Sequence, residues 1–439
     1  MMISDKTKNI IKIVAPVLVI ILVLILLFVF PGFLRDSYRM EPLANRRLTL
    51  RDEASLARRL SEKDQAIELA FKENFLIQFL SEGKESKIEG VLTSVELDSQ
   101  ENITENLSFL LDDQFLWGKY LVLTEQEKEF EKWQEMITTL YRFEDSWAVI
   151  LNQNGQPTET TDITWAYDLK YAEVLLLSFN QNPSKQTLKE IKQIMEPLLP
   201  LFADNKLPAN VKIDVERIFF PETSSEAKPT ANEALFDPYK EEEFIALVDV
   251  NLHVLESFAL IDENWQKPFE EWLTIFEEAI GGSVNDEESV IFYPIGISSD
   301  LEDYFATGNQ AFSASTWENV KILYNVSDII PNPTLSGFYK REILQTNFLN
   351  KAYHNVSLQS LSENSDAASM ALFSQLISQD GINNETIQIN ESIKNGLTVL
   401  QYNNRFVDLD GLYYEKTEDG KFLFTAKNQI SVLNSALFE

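Results

Sequence analysis

The sequence predicts an all-α fold for the main part of the chain. Glycine accounts for only 14 of 439 residues, about 3% against a usual share near 7%, so strands are not expected to dominate. Successive segments carry apolar residues at intervals of three and four, the spacing that lines one face of a helix. Apolar residues make up 44% of the chain and include 29 Phe, 14 Tyr and 7 Trp. The chain can therefore bury a large core, and most of it should fold.

Seven segments show this helical periodicity. The clearest opens at Thr124, which forms a Thr-x-x-Glu capping box with Glu127, and continues through apolar residues at 130, 133, 137 and 140. The others cover approximately residues 166–179, 187–199, 241–260, 267–280, 316–325 and 365–378. Because each segment is amphipathic, each should bury one stripe of side chains against its neighbours.

Two segments interrupt the helical pattern. Residues 221–238 contain three Pro together with Ser, Thr and Glu, and we interpret them as a long loop on one face of a single domain. Residues 413–425 place Asp419-Gly420 between two aromatic-rich runs, which is typical of a β-hairpin. We therefore expect a small C-terminal hairpin that closes the helical fold.

An apolar segment near the N-terminus predicts a membrane anchor. Residues 13–34 contain no charged side chain, and about 20 apolar residues are enough to cross a bilayer as a helix. The apolar core of a cleavable signal peptide is shorter, roughly 7–15 residues. The predicted organisation is a short cytoplasmic tail (1–12), a transmembrane anchor (13–34), a juxtamembrane stalk (35–63) and a globular domain (64–439).

Charge alone does not decide on which side of the membrane the domain lies. Three Lys precede the anchor and five Arg follow it, and a strict count of cations would keep the domain inside the cell. Long domains are translocated despite their charge, however, and an acidic composition without Cys suits a bacterial cell surface. We expect an extracellular domain on a single-pass anchor, the alternative being a cytosolic domain tethered to the inner leaflet.

Composition excludes several classes of function. The formal net charge is −32, from 37 Lys and Arg against 69 Asp and Glu, and a chain without a basic block is not expected to bind nucleic acid. The chain has no Cys and only two His, so the usual zinc ligands and thiol or Ser-His-Asp nucleophiles are missing. No nucleotide-binding or metalloprotease motif is present, and we expect neither a metal nor a cofactor. Catalysis would depend on carboxylates, and a ligand should be neutral or cationic.

Three segments combine a carboxylate with aromatic residues at or near the start of a helix. They are the segment 104–109 with Glu105, the segment 146–177 with Trp165, Tyr167 and Asp168, and the segment 315–322 with Trp317 and Glu318. Acidic residues in a first helical turn are favoured by the helix dipole whatever the function. Taken singly, each segment is therefore more typical of structure than of catalysis, and their order along the chain is what distinguishes them.

This order resembles the glycoside hydrolase family 8 enzymes, which include bacterial cellulases encoded with cellulose synthases. The acid motif of the family reads approximately Ser-Glu-Gly-Gln-x-Tyr-Gly, and residues 104–109 would match it with Glu105 as the general acid. The base segment reads approximately Ser-Tyr-Asp-Ala-Ile-Arg-Val, and residues 316–322 follow it class by class. Glu318 would then occupy the position of the base as a longer acid.

The signature helix of the family shows one departure in this chain. It reads approximately Ala-Ser/Thr-Asp-Gly-Asp-x-x-Ile-Ala-x-Ser-Leu-Leu after a Trp, and residues 164–176 follow it downstream of Trp147. The second Asp is kept as Asp168, but Ala166 stands in place of the first. In the family that first carboxylate contacts the sugar at the point of cleavage, so its loss should weaken or abolish activity.

The resemblance implies a fold and an activity. The fold would be an (α/α)6 toroid, six inner helices ringed by six outer ones, with a cleft across one end. The activity would be inverting hydrolysis of a β-linked exopolysaccharide or cell-wall glycan, with Glu105 as acid and Glu318 as base. The residues expected to contact the sugar are Asp168, Trp117, Trp147, Trp165, Tyr167 and Trp317.

Two other functions stay open at this point. The first is a catalytically impaired protein on the same fold that binds a glycan or serves a polysaccharide synthase complex, as the absence of Asp at position 166 suggests. The second is an anchored helical surface protein without any role in glycan chemistry.

Overall fold

The computed structural model describes residues 40–44, 60–79, 88–218, 236–281, 291–302, 304–305, 313–362, 365–379 and 383–438. The predicted anchor (13–34) lies outside these ranges, as do most of the stalk and most of the predicted loop at 221–238. Among the residues that are described, no helix is long and apolar enough to cross a membrane.

Twelve α-helices lie within the described ranges. They are α1 (Glu62–Phe75), α2 (Leu111–Leu123), α3 (Glu127–Met136), α4 (Trp165–Gln181), α5 (Lys185–Ala203), α6 (Leu252–Ile261), α7 (Gln266–Gly281), α8 (Thr316–Val326), α9 (Pro333–Thr346), α10 (Ala367–Gln379), α11 (Asn384–Val399) and α12 (Ala426–Ala436).

Short strands fill the connections. They are β1 (Leu76–Gln78), β2 (Glu89–Val91), β3 (Ser94–Leu97), β4 (Ile103–Asn106), β5 (Ser108–Leu110), β6 (Trp147–Asn152), β7 (Pro157–Thr161), β8 (Val211–Ile218), β9 (Phe236–Ala246), β10 (Gly296–Ile297), β11 (Tyr304–Phe305), β12 (Ser313–Ser315), β13 (Ala352–His354), β14 (Glu415–Lys416) and β15 (Phe422–Thr425).

Six of the helices form a closed ring. Helix α2 packs on α4, α4 on α6, α6 on α8, α8 on α10, α10 on α12, and α12 returns to α2. Outside this ring, α1 packs on α12, α3 on α2, α5 on α4, α7 on α6 and α11 on α10, while α9 packs on α11. Inner and outer helices therefore alternate along the chain, and the arrangement is the (α/α)6 toroid implied by the resemblance.

Each outer helix runs antiparallel to the inner helix beside it, so the inner helices all start at the same end of the ring. The pair α4 and α5 shows this directly: Trp165, the first residue of α4, packs edge-on against Phe202 near the end of α5, and its indole N–H donates to the carbonyl oxygen of Pro208 at 3.0 Å. Every described strand lies in a connection from an outer to an inner helix. The sheets therefore gather at the end where the inner helices begin, which we call the N-terminal end.

The strands require a correction to the all-α prediction. The expected hairpin is present as β14 and β15, with Gly420 in a left-handed conformation at the turn (φ +81°), where glycine has no steric penalty. This hairpin is part of a four-stranded sheet in the order β14-β15-β3-β4, and it is not an isolated closure. The short strands were missed because most have only two to six residues and lack a clear alternation.

Two predicted helix boundaries were wrong. Thr124 does not cap α3, since its hydroxyl donates to the carbonyl oxygen of Tyr120 at 2.7 Å and thereby ends α2, whereas α3 begins at Glu127 without a side-chain cap. The segment 241–260 is not one helix: it begins inside β9, and α6 starts only at Leu252, after Asn251 has capped it. A continuous apolar run such as 244–248 is compatible with a buried strand or a helix, and periodicity does not separate the two.

The inner helices are buried almost all round, as helices inside a ring must be. In α4, 13 residues between Trp165 and Asn180 are buried, polar ones included. Close packing outside the ring depends on Gly118 of α2, where a Cβ atom would lie 2.4 Å from the indole of Trp133 on α3. The absence of a side chain there lets α3 approach its inner neighbour.

Candidate active site

A groove of about 660 Å³ opens at the N-terminal end of the ring. The first turns of α2, α4, α8 and α12 form its floor, and the segments around residues 159–163, 210–211 and 244–249 form its walls. Its volume is typical of a site for a small molecule or part of a polymer. Helix N-termini carry partial positive charge, so carboxylates in the first turns are stabilised at this end of the ring.

Asp113 is a buried acid on the floor of this groove. It lies in the first turn of α2 and its residue is only 4% exposed. Burial raises the pKa of Asp113 well above its usual value, and the neighbouring charge of Asp112 raises it further, while Lys427 acts in the opposite direction. This shift favours the protonated form of the carboxyl group, the form that a general acid needs in order to donate a proton.

Glu318 is a second partly buried acid of the groove. It lies in the first turn of α8, where its backbone N–H donates to the hydroxyl oxygen of Ser315, the N-cap residue, at 3.4 Å. Burial raises the pKa of Glu318 and the charge of Asp249 adds to this effect, whereas Lys427 lowers it. Among the six acidic residues that line the groove, Asp113 and Glu318 are thus two buried or partly buried carboxyl groups in different electrostatic surroundings.

The charge of Lys427 acts on both of these acids. Lys427 is the second residue of α12, and its ammonium group lies 4.6 Å from the centroid of the Trp317 ring, within the range of a cation–π contact. Its charge favours the ionised form of both Asp113 and Glu318. Since Asp113 is the more deeply buried of the two, we expect Glu318 to ionise first as the pH rises.

Lys170 forms two ion pairs in the wall of the groove. The ammonium group of Lys170 lies 2.9 Å from a carboxylate oxygen of Asp112 and 2.9 Å from one of Asp249, and 4.9 Å from the centroid of the Tyr167 ring. Burial alone would lower the pKa of Lys170, but the two carboxylates outweigh it and raise the pKa. Asn210 completes this wall by donating to Asp249 at 2.6 Å.

A smaller cavity of about 50 Å³ adjoins the groove, and Lys119, Glu173 and Lys321 line both. Glu173 and Lys119 form an ion pair of 2.6 Å there, and Lys321 lies beside them. Burial lowers the pKa of Lys321 to about 8. Burial would raise the pKa of Glu173, but the charges of Lys119 and Lys321 outweigh it and lower the pKa to about 2.

The structure brings some of the predicted site residues into the groove. Glu318, Trp317 and Tyr167 line it, and so does Ala166, the residue that replaces a family carboxylate. Glu105 lies elsewhere: it is solvent-exposed on the edge strand β4, opposite Val95, and is not among the residues that line the groove.

The other predicted sugar contacts lie in the core. Trp147, Trp165 and Trp117 are at most 6% exposed, and Trp117 stacks on Tyr120 at 5.0 Å between ring centroids. Asp168 accepts a hydrogen bond from the indole of Trp147 at 3.2 Å and lies 3.5 Å from the guanidinium of Arg142. None of these four residues lines the groove, and their contacts are those of structural residues.

We expect Asp168→Ala to affect stability more than ligand binding. The substitution leaves the Trp147 N–H without its acceptor and Arg142 without its carboxylate, which should cost about 1–3 kcal/mol of unfolding free energy. Chemical denaturation measures this loss, and a glycan that binds wild type should keep its affinity at a temperature where the variant is folded. A loss of affinity with unchanged stability would instead place Asp168 in the binding site.

Sequence reasoning missed Asp113, Lys170, Asp249 and Lys427. The pair Asp112-Asp113 before an apolar run is a sequence signal for the start of a helix, because acids are favoured in a first helical turn. Helix α2 is nevertheless absent from the helices that periodicity predicts. No local pattern marks Lys427 or Asp249, since only the ring brings them to the groove. In the described part of the chain, no group of three or more His, Asp or Glu side chains could hold a metal ion.

The fold has known counterparts among glycan-degrading enzymes. No protein-family model and no curated protein sequence matches the chain. Among solved structures, an alpha-amylase from Clostridium perfringens has a similar fold, with a TM-score of 0.60 and 13% sequence identity over 86% of this chain and 97% of that one. A beta-1,3-1,4-glucanase from Paenibacillus sp. X4 matches with a TM-score of 0.54 and 12% identity over 91% of this chain and 95% of that one. A cold-adapted family 8 xylanase matches with a TM-score of 0.52 and 12% identity over 86% of this chain and 92% of that one. The chain therefore has the fold of the family 8 glycoside hydrolases, as the resemblance predicted.

Proposed function

We propose that this protein is a membrane-anchored, inverting glycoside hydrolase that acts on a β-linked exopolysaccharide or cell-wall glycan outside the cell. The observation that carries the proposal is the pair Asp113 and Glu318, two carboxyl groups in one groove at the N-terminal end of a family 8-like toroid. Anchoring by residues 13–34 is part of the proposal and is supported by their uninterrupted apolar sequence.

Asp113, and not Glu105, is the proposed general acid. A general acid must hold a proton near neutral pH and release it to the leaving oxygen, which requires a raised pKa. Burial of Asp113 supplies that rise. Glu105 is exposed to solvent and does not line the groove.

Glu318 is the proposed general base. In an inverting reaction the base is an ionised carboxylate that removes a proton from the attacking water on the opposite face of the sugar. Burial and the charge of Asp249 raise the pKa of Glu318, and the charge of Lys427 acts against them in favour of the ionised form that this role needs. The Trp317 and Tyr167 rings, both in the groove, are suited to stack on the apolar faces of sugar rings.

Hydrolysis is tested by measuring the release of reducing ends from a panel of bacterial surface glycans. The standards are β-glucan, xylan and chitosan. An α-glucan is included because one protein of similar fold is an alpha-amylase. We expect Glu318→Gln to reduce the rate by about 100-fold or more, since general-base catalysis contributes about that much. Glu105→Gln changes charge in the same way at the exposed strand and should retain the wild-type rate. Equal loss in both variants would contradict the assignment.

A second function is favoured by one observation. Ala166 lines the groove where the family carries a carboxylate that contacts the sugar, so the groove could bind a glycan without cleaving it. Isothermal titration with the same panel separates the two functions. Binding by wild type without any product, even at high enzyme concentration, would favour a glycan-binding or synthase-accessory protein over a hydrolase.

A further inference from the structure

The chain returns to the domain soon after the predicted anchor. Residues 40–44 lie on the outside of the ring, where Met40 and Leu43 pack against the core and the backbone N–H of Leu43 donates to the side-chain oxygen of Asn180 at 2.8 Å. Asn180 lies near the end of α4 and Tyr167, in the groove, near its start. At 1.5 Å per residue the two are about 20 Å apart along the helix axis. Residues 40–44 therefore attach to the end of the ring opposite the groove.

The tether to the membrane is short. Only residues 35–39 separate the apolar run from Met40, and a fully extended chain of that length spans at most about 20 Å. If residues 13–34 span the bilayer, the end of the ring that carries Met40 lies next to the membrane surface.

A cluster of lysines surrounds this attachment point. Lys185, Lys189 and Lys192 are exposed on α5 at positions i, i+4 and i+7, so they share one face of the helix. Together with Met40, Leu188, Gln193 and Glu196 they line a shallow depression, which we call the α5 face. Acids near these lysines include Glu196 in the depression, exposed Glu41 next to Met40, and Glu190, which accepts hydrogen bonds from Gln134 and Gln186.

We propose that the α5 face lies against a bilayer surface rich in anionic lipids and that the groove therefore opens away from the membrane. The proposal rests on the membrane anchor of the proposed function, and not on the hydrolytic activity. A protein of net charge −32 would otherwise be repelled by such a surface, and lysines held within about 20 Å of the bilayer are placed to bind phosphate headgroups. The groove, at the opposite end of the ring, would face the polymer outside the cell.

The chain contains no Cys, so single cysteines can be labelled in the full-length protein. We would reconstitute it in vesicles of phosphatidylcholine alone or with phosphatidylglycerol, and place a fluorophore at Gln193→Cys on the α5 face or at Glu418→Cys on the hairpin at the groove end. A quencher attached to the lipid headgroups should quench the label at 193 more than the label at 418. Phosphatidylglycerol should increase this difference.

The lysines are tested by the triple variant Lys185→Gln, Lys189→Gln and Lys192→Gln. Each lysine near an anionic surface changes the ratio of docked to undocked protein by about 5-fold, so the effect of phosphatidylglycerol should disappear in this variant. Lys206→Gln, Lys212→Gln and Lys416→Gln remove the same charge away from the α5 face and should preserve the effect.

Two results would overturn the inference, and they differ in what else they affect. If the protein floats with the vesicles but the labels at 193 and 418 are quenched equally, the orientation is wrong and the anchor stands. If the protein does not float with vesicles at all, the anchor fails, and the orientation fails with it. Neither result bears on hydrolysis of glycans by the groove.

Discussion

Replacing Asp113 with Asn is expected to remove hydrolysis and at the same time to make the protein more stable at neutral pH. The variant cannot supply the proton to the leaving oxygen, which should lower kcat by about 100-fold to 10,000-fold. Burial raises the pKa of Asp113 well above its usual value, so folding favours the protonated carboxyl. Its contribution to stability is present at low pH and is lost as the pH rises above about 3.9, the unfolded value. Asn is neutral at every pH and avoids this cost.

Thermal unfolding measured from pH 4 to pH 8 tests the stability half of this prediction. The gain in midpoint temperature of Asp113→Asn over wild type should be small at pH 4 and should grow with pH. Asp112→Asn is the neighbouring control, because Asp112 forms an ion pair with Lys170 and should lose stability when neutralised. A variant at 113 that is active, or that is less stable than wild type at pH 8, would show that Asp113 is not a protonated acid.

The second large effect is expected at the ion cluster of Lys119, Glu173 and Lys321, which lines both the groove and the smaller cavity that adjoins it. Glu173→Gln leaves Lys119 and Lys321 together in a buried cavity without their counter-ion, and breaking a buried pair in this way costs about 3–5 kcal/mol of unfolding free energy. Urea denaturation at pH 7 measures the loss. Glu129→Gln, an exposed acid of α3, should change stability by less than about 0.5 kcal/mol.

The pH dependence of this cluster provides an independent check. Because the pKa of Glu173 is lowered to about 2, its contribution to stability is complete above about 4.5 and is lost as the pH falls towards 2. The difference between wild type and Glu173→Gln should shrink over that range. A difference that stays constant down to pH 2 would mean that Glu173 is not the counter-ion.

Lys321 should behave in the opposite way. Its pKa is lowered to about 8, so folding favours the neutral amine and the charged form is a cost that is complete below pH 8 and absent above about 10.5. We expect Lys321→Met to stabilise the protein at pH 7 and to have little effect at pH 10.5. Destabilisation by this variant at pH 7 would show that the ammonium group is needed in the fold.

Several helices of the ring could be predicted from the sequence itself, whereas the closed ring was expected only from the family resemblance. The apolar spacing of 166–179 and 267–280 was sufficient to predict helices there, because the apolar residues of an amphipathic helix recur on its buried face. The structure has helices at both places, with ends within a few residues of the prediction. The hairpin at Asp419-Gly420 was predictable for the same reason: its turn chemistry is local. Strands of two to six residues depend on neighbours far away in the chain, so no local pattern marked them.

The candidate site was predictable only in part. Glu318 and Trp317 begin a helix whose Ser315 cap is visible in the sequence, and that helix start lies at the groove. An approximate motif predicts Glu105 as the acid, yet Glu105 lies on the edge strand β4, all four residues of which are exposed. Asp113 and Lys427 are 314 residues apart in the chain, and only closure of the ring through α12 and α2 brings their charges within range of each other.

The central claim, that Asp113 and Glu318 are the acid and base of an inverting hydrolase, is tested most directly by following the first products of glycan cleavage with proton NMR. We expect wild type and Glu105→Gln to release a product whose anomeric configuration is opposite to that of the bond cleaved, and Asp113→Asn and Glu318→Gln to release none on the same time scale. Product with retained configuration, cleavage by Asp113→Asn, or binding by wild type without any cleavage would contradict the claim.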